Sequence, residues 1–263
     1  LAHLRVVRVG AAAALLGRPV LLLEERAHPG RVPAVGGAHQ RAHVGAVELL
    51  VQRPAARLEA QRFDEACRYL DLETLFRLVA EVADDDEALA RAPYDVLSDW
   101  HEEHDGNLRI ILPDTYGTKG FLENAPDWLA GWTGVRIDSG DPVEGAETAI
   151  AWWRARGEDP RQKLVIFSDG LDVDLIEELH TRFAGRVKVS FGWGTLMTND
   201  FRGLVPGDAL APFSLVCKVV SANGRETVKL SDNPNKAMGS PEAVGRYKRV
   251  FEVGSQVARP VVV

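Results

Sequence analysis

Cysteine is nearly absent from this chain: two residues in 263, Cys67 and Cys217. Two widely separated thiols give neither a disulfide framework nor the paired spacing of a structural zinc site, and they suit a reducing compartment, so a cytoplasmic setting is expected. An excess of basic residues is missing as well. Lys and Arg total 31 against 38 Asp and Glu, a net charge of −7, which argues against the electrostatic footprint of a nucleic-acid binder. Nor is there an apolar run long enough to cross a bilayer. Ala11 to Leu23 comes nearest, but it is too short and Arg18 interrupts it. The acidic pair Glu24-Glu25 and the lack of a small-residue cleavage site also argue against a signal peptide there. Neither nucleic acid nor membrane is therefore expected as a partner. Hydrophobic residues at 46% and charged residues at 26% are ordinary for a soluble globular protein with one large core or two modest ones.

A further absence is local. Residues 1–62 use nine residue types only: Leu, Ala, His, Arg, Val, Gly, Pro, Glu and Gln. All nine have codons beginning with G or C, and every missing type except Asp requires or mostly uses A or T there. That is the product expected when the wobble position of a GC-rich gene is read as the first codon base. The rival reading is a low-complexity Ala/Arg/Pro arm without a packed role. On either reading His3, His28, His39 and His43 are poor candidates for ligands or catalysts.

What is present begins after Phe63. Phe63 to Val82 carries apolar residues at helical spacing (Leu70, Leu72, Leu75, Phe76, Val79), and the acidic run Asp84 to Glu87 suits the start of a following helix. His101 and His104 share a helix face, but this is not the H-E-x-x-H pattern and no third ligand is evident, so a solvated helix end is expected. Then four apolar runs of strand length each end in polar or glycine residues. Leu108 to Leu112 ends in Asp114 and Thr115; Thr133 to Ile137 in Asp138, Ser139 and Gly140; Lys163 to Phe167 in Ser168, Asp169 and Gly170; Val187 to Phe191 in Gly192, Gly194 and Thr195. Helical stretches, Pro142 to Arg156 and Val173 to Phe183, lie between them, which implies βα units and a parallel sheet. The run Lys163 to Phe167 is apolar on both sides, as in a strand buried on both faces.

Ligands of open and closed parallel sheets bind at the carboxyl ends of the strands. Arg136-Ile-Asp-Ser-Gly-Asp141 puts two carboxylates, a hydroxyl and a guanidinium at such an end, and this suits a phosphorylated, polyhydroxylated ligand: Asp for sugar hydroxyls or Mg²⁺, Arg for phosphate or a planar acid. The alternative for the hexapeptide alone is a polar turn in which Asp141 caps the next helix. Four successive endings of this kind favour a shared phosphosugar site. Another barrel enzyme, an aldolase or isomerase, would want a buried Lys or a Glu/His pair at the strand ends, and none is seen. Downstream, Leu215 to Leu230 reads as a hairpin around Asn223-Gly224. Lys218 and Lys229 stand on its arms with Lys236 beyond, each either a solvated lysine or a phosphate contact.

With Arg136-Ile-Asp-Ser-Gly-Asp-Pro142, Phe167-Ser-Asp-Gly-Leu-Asp172, Ser190-Phe-Gly-Trp-Gly-Thr195 and Val228-Lys-Leu-Ser-Asp-Asn-Pro-Asn-Lys236 in this order, the sequence resembles the nicotinate phosphoribosyltransferase family over its C-terminal half. The resemblance implies an irregular, here partial, parallel α/β barrel of the type II phosphoribosyltransferase kind. It divides the chain into an anomalous 1–62, a barrel portion over 63–210 bearing the phosphoribosyl site, and a hairpin and tail of a second lobe over 211–263. It implies synthesis of nicotinate mononucleotide from nicotinate and phosphoribosyl pyrophosphate (PRPP) in NAD salvage, with Mg²⁺ accompanying PRPP and ATP as co-substrate. A homodimer is compatible with it but not required. Arg136 and Asp138 correspond to residues gripping the ribose and pyridine region as the catalytic pair. Asp169 and Gly170 correspond to the ribose-hydroxyl contact, Gly192, Gly194 and Thr195 to the 5′-phosphate cradle, Asp114 to a Mg²⁺-pyrophosphate holder, and Lys218 to a further substrate contact. No metal site built of protein ligands alone is expected.

The family's arginine-rich block, its Gly-Thr-Ser-Asn block and its Ala-His-Glu block have no counterpart, and Glu73 or Thr74 falls where its phosphorylated histidine should be. Coupling to ATP is therefore not expected of the chain as written. Its alternatives are an inactive fragment retaining sugar-phosphate binding, or a nicotinamide or quinolinate relative. If residues 1–62 are a shifted frame, the coding DNA before the Phe63 codon, translated in the alternative frame, yields the missing arginine and histidine blocks. An alternative frame without them refutes the idea.

Overall fold

The computed structural model describes residues 71–104, 106–201, 204, 210, 218–222 and 225–251, together with the backbone of 8–9 and 21–22. The expectation about residues 1–62 therefore lies outside the described residues, apart from two short strands. These are β1 (Arg8–Val9) and β2 (Leu21–Leu22), paired antiparallel. Phe63 to Leu70, both cysteines and Asn223-Gly224 also lie outside.

Capping side chains decide where the helices begin. Asp71 accepts from the Thr74 N–H at 2.8 Å and opens α1, Leu72–Glu81. Asp85 accepts from Ala88 N–H at 2.7 Å and opens α2, Asp86–Glu103, so the acidic run is a helix start. After the short α3 (Thr118–Glu123), Asp141 takes the N–H groups of Val143 and Glu144 and opens α4, Pro142–Ala155. Asp172 opens α5, Val173–Phe183; α6 is the five-residue Thr195–Asn199; Ser240 opens α7, Pro241–Val250. Each cap satisfies a first-turn donor that the helix leaves unpaired, and the acids meet the positive end of the helix dipole.

Four strands, β3 (Ile110–Ile111), β4 (Gly134–Ile137), β5 (Leu164–Phe167) and β6 (Lys188–Phe191), form one parallel sheet in chain order. Val135, Val165 and Val189 lie side by side, as do Ile137, Phe167 and Phe191. This face turns to the helices: Val135, Ile137, Val165 and Phe167 are buried in one core with Ile150 and Trp153 of α4 and Leu179 and Phe183 of α5. The opposite face carries Arg136, Ile166 and Ser190 in register. There Leu164 and Ile166 are half-buried, and Lys188 and Ser190 are exposed. The expectation that Lys163 to Phe167 is buried on both faces is thus corrected. Helices α4 and α5 shield one face only, and among the described residues β6 is an edge strand. β3 is also shorter than expected, because single-turn helices at Gly106–Leu108 and Pro113–Thr115 close on it from both sides.

The amino end of the sheet is closed by rings and by a buried lysine. Lys163 Nζ donates to the carbonyls of Ala130 at 2.7 Å and Trp132 at 3.2 Å and pairs with Glu158 at 2.8 Å. His101 accepts the Trp132 indole N–H at 3.0 Å and lies edge-on to Trp128, while His104 packs on Trp100. Both histidines are half-buried in this aromatic cluster, which corrects the solvated helix end. At the C-terminal side, β7 (Ser221–Ala222) and β8 (Arg225–Glu226) pair antiparallel with two residues between them, a hairpin shorter than the sixteen-residue run expected. Val228, Leu230, Tyr247 and Phe251 join the main core, where the Tyr116 and Phe251 rings stack at 4.4 Å.

Gly134 opens β4 where the backbone of β5 passes closest. A Cβ there would stand 2.1 Å from the Leu164 carbonyl oxygen, so any side chain must push the two strands apart. Gly134→Ala is expected to cost at least about 1–3 kcal/mol in urea unfolding; a variant as stable as the parent would contradict the strand contact.

Candidate functional site

All four strands run parallel, so Asp114, Asp138, Asp169 and Gly192, which follow them, share the carboxyl edge of the sheet. Hydrogen bonds join the endings. Arg136, half-buried on β4, donates from Nε to Ser168 Oγ at 2.8 Å and from Nη2 to Asp138 Oδ1 at 2.7 Å. Ser168 Oγ in turn donates to the same Asp138 oxygen at 2.7 Å. One turn of chain earlier, Ser139 Oγ donates to Asp114 Oδ2 at 2.9 Å. Gly192 continues the ladder, donating its N–H to the Phe167 carbonyl at 2.8 Å, and it lies against Ser168.

The C-terminal segment is laid across this edge. Leu230 and Ser231 donate their N–H groups to the Thr115 carbonyl at 2.8 and 3.3 Å. Asp232 accepts from the Thr118 N–H at 2.8 Å and from its hydroxyl, and its own N–H reaches Ser139 Oγ at 3.3 Å. This approach needs Gly140. Its φ is +78°, and a Cβ there would meet Asp232 Cβ at 2.9 Å, closer than packed atoms come. Lys236 Nζ donates to Asp169 Oδ1 at 2.7 Å and to the Asp138 carbonyl at 3.3 Å. Lys229 Nζ donates to Glu73 Oε2 at 2.6 Å and to Asp114 Oδ2 at 3.4 Å.

One regularity emerges. Each of the three strand-end aspartates is held by one oxygen: Asp114 by Oδ2, Asp138 by Oδ1 and Asp169 by Oδ1. No bond to the other oxygen is described among the described residues, and Asp114 Oδ1 is a buried atom without a hydrogen-bond partner there. For Asp138 and Asp169, which stay partly exposed, orientation by one oxygen leaves the other to accept from sugar hydroxyls or to meet a hard cation.

Burial and charge set the proton affinities. For Arg136 burial works against the charge, but the charge and hydrogen bond of Asp138 outweigh it and raise its pKa. Burial raises Asp169, partly offset by Lys236. Burial also lifts Asp232 to about 6, against the Thr118 hydrogen bonds and with help from Asp114. Glu73 goes the other way: burial opposes its charge, yet Lys229 and Lys218 bring it down to about 2.

Of the residues singled out from sequence, Arg136, Asp138, Asp169 and Gly170 stand together at the ends of β4 and β5, and Asp114 joins them through Ser139. Gly194 caps α6 and Thr195 begins it, and no contact between them and this network is described. Asp141 is the helix cap of the alternative reading. Lys218 pairs with Glu73 at 2.9 Å. Lys229 is 4% exposed and ion-paired, not a solvated strand lysine. Sequence reasoning gave no site role to Ser139, Glu73 or Asp232. Ser139 and Asp232 lie inside the quoted motif blocks, which was their available signal. Glu73 meets its lysines from 145 and 156 residues away, so no local spacing reveals it.

Comparison with known proteins bears on this geometry. The nicotinate phosphoribosyltransferase (NAPRTase) family model matches residues 74–255. A crystal structure of nicotinate phosphoribosyltransferase from Vibrio cholerae is similar at 36% identity over 70% of this chain and 44% of its own, with a TM-score of 0.60. Nicotinate phosphoribosyltransferase from Porphyromonas gingivalis and a putative one from Saccharomyces cerevisiae each match over 81% of this chain at 24% identity. Their TM-scores are 0.61 and 0.60, and they show the shared fold alone. The chain spans 44%, 64% and 62% of the three proteins' lengths.

The two displaced carboxyl groups give separate pH windows. Asp232, about 6 when folded and near 3.8 when unfolded, contributes stability that is fully present below pH 4 and lost as pH rises through 6. Glu73, about 2 folded and near 4.5 unfolded, contributes stability present above pH 4.5 and lost as pH falls toward 2. Asp232→Asn is expected to flatten the stability profile between pH 4 and 6 and to gain on the order of 1 kcal/mol at pH 7. Denaturation midpoints across pH 3–8 check this, and an unchanged slope would refute the assignment.

Proposed function

This chain belongs to the nicotinate phosphoribosyltransferase family, and on that footing we propose that its carboxyl sheet edge binds the phosphoribosyl group of PRPP and joins it to nicotinate, giving nicotinate mononucleotide. The observation that carries the reading is the row of three strand-end aspartates, each oriented by one oxygen. As pyrophosphate leaves, the sugar C1 gains oxocarbenium character, and a site of fixed carboxylates and a guanidinium stabilises the separated charges and holds the base in line. Asp169 and Gly170 take the ribose hydroxyls, Arg136 and Asp138 the ribose and the pyridine carboxylate region, and Gly194 and Thr195 the 5′-phosphate. Gly192 contributes close approach rather than a donor, its N–H being bonded to Phe167.

Among the described residues there is no group of three or more acidic, His or Cys side chains that would hold a metal ion unaided. A Mg²⁺ ion carried by PRPP fits nevertheless. It keeps most of its oxygen shell from phosphates and water and needs one or two carboxylates, for which the partly exposed Asp138 and Asp169 offer oxygens; Asp114 is buried and lies behind them through Ser139. When bound, the ion supplies charge neutralisation on the departing pyrophosphate. Lys218 is committed to Glu73 and is not assigned a substrate contact.

ATP is a co-substrate in the family reaction, where a phosphorylated histidine couples it. Here His101 and His104 belong to the aromatic cluster at the amino end of the sheet, and His180 is exposed on α5. A nitrogen nucleophile beside the strand ends is what coupling requires, and none of these three fits. Among the described residues no histidine is placed for coupling, and on this reading product forms without ATP. A second reading, a fragment that binds sugar phosphate without turnover, is favoured by the place of the family's phosphorylated histidine being taken by Glu73, which is ion-paired to Lys218 and Lys229.

The test is chromatographic detection of nicotinate mononucleotide from nicotinate, PRPP and Mg²⁺, with and without ATP, beside calorimetry with ribose 5-phosphate. Product unaffected by ATP, and lowered on the order of 100-fold by Asp138→Asn, is expected. Ribose 5-phosphate binding without product selects the fragment reading. Neither binding nor product would sink both.

A further inference from the structure

A guanidinium can donate two parallel hydrogen bonds along its side-on edge or along its end-on edge, and in Arg136 the first is spent. Nε donates to Ser168 Oγ at 2.8 Å and Nη2 to Asp138 Oδ1 at 2.7 Å. The end-on edge, Nη1 with the outer hydrogen of Nη2, meets no acceptor among the described residues. Arg136 lies on the open sheet face in register with Ile166 and Ser190, and 41% of its side chain is exposed, so a ligand can reach this edge. Ser168 decides where the edge points. A guanidinium only donates and a carboxylate only accepts, so the hydroxyl between them accepts from Arg136 and donates to Asp138 Oδ1 at 2.7 Å. The Ile137 carbonyl is the other acceptor in reach, at 3.3 Å, and the shorter, charge-assisted bond prevails. Arg136, Ser168 and Asp138 thus close a ring of hydrogen bonds. Gly192 leaves the serine its place, since a Cβ there would stand 3.2 Å from Ser168 Cβ. Without the hydroxyl, one side-chain bond to Asp138 holds the guanidinium, which is then free to turn about it.

We propose that Ser168 is a positioning residue which makes the site choose a pyridine carboxylate over the corresponding amide, by holding the end-on edge of Arg136 in one direction. This role rests on the reading of the site given above and adds the residue that sets its base preference. Charge by itself selects poorly here, because Asp138 already offsets the guanidinium. Direction selects well. A carboxylate meets the fixed edge with two parallel bonds, whereas an amide offers one oxygen and sets its own NH2 donor against an N–H donor. A loosely held guanidinium turns to spare the amide that conflict, and the preference fades.

The test is calorimetric titration of the whole chain with nicotinate, with nicotinamide and with ribose 5-phosphate. The parent is expected to bind nicotinate on the order of 10-fold or more tighter than nicotinamide. Ser168→Ala is expected to lose most of that ratio through weaker nicotinate binding, with nicotinamide and ribose 5-phosphate bound as by the parent. Ser168→Thr keeps the hydroxyl and is expected to keep the ratio, whereas a residue that merely supported the fold would weaken both pyridines alike. In an Arg136→Lys background, which has no planar fork to aim, Ser168→Ala should change the ratio no further. Should Ser168→Ala not fold, Ser168→Cys, similar in size and a feeble donor, takes its place with the same expectation. The role is overturned if the parent shows no preference, if removing the hydroxyl leaves the ratio intact or weakens both pyridines alike, if Ser168→Thr loses the ratio as well, or if Ser168→Ala and Arg136→Lys lower it independently. Ribose 5-phosphate bound, or product formed, beside any of these results removes the role of Ser168 alone and leaves the reading of the reaction standing.

Discussion

The ammonium of Lys229 is shared between two carboxylates far from it in the chain, Glu73 of α1 at 2.6 Å and Asp114 after β3 at 3.4 Å. A lysine this deep is unfavourable as an ion unless countered, because taking the charge out of water costs several kcal/mol in an order-of-magnitude sense. Burial works against its charge, and Asp114 and Glu73 more than restore it, so its pKa is raised above the usual lysine value. Three pieces of chain are thereby obliged to meet: the first turn of α1, the turn after β3 and the segment after β8. The placement of Leu230, Asp232 and Lys236 over the strand ends follows from that junction. Losing either partner would leave a buried charge without compensation, so the junction is specific as well as stabilising.

The two ends of the sheet divide the work. At the amino end Lys163 donates to main-chain carbonyls and the histidines lie among tryptophans, an arrangement that closes the layer. At the carboxyl end the same parallel geometry gathers aspartates, serines and glycines from three successive turns. Serine is the linking residue there. Ser168 ties β5 to Asp138 on β4, and Ser139 ties β4 to Asp114 after β3. The carboxylates are thus positioned by neighbours on adjacent strands and do not depend on their own loops for orientation.

Much of this was legible in the sequence because it is written locally. The alternation of apolar runs with helical stretches marks βα units, polar strand endings mark the strand-end edge, the acidic run Asp84 to Glu87 marks a helix start, and Asp141 is a cap as in the alternative reading; α5 has the bounds of its helical stretch. The family was legible for the same reason, since its motifs are those local endings in a fixed order. What escaped depends on contacts across long separations. Nothing near Glu73 announces Lys218 and Lys229, and no spacing says that His101 faces Trp132 rather than water. The two-face burial inferred for β5 failed because strand composition records the burial a strand is suited to, and the covering depends on other parts of the chain.

That half-open face has a consequence for behaviour in a crowd of other chains. Among the described residues β6 has no strand on its outer side, so it offers main-chain donors and acceptors there, the feature by which sheets recruit foreign strands. Lys188 and Ser190 are exposed on it, and any strand docking there in register would have to strip water from an ammonium and a hydroxyl. Charge at this point acts as a guard on colloidal stability, and its strength is set by hydration rather than by packing. Lys188, exposed on this strand, thereby discourages edge-to-edge pairing through its hydrated charge.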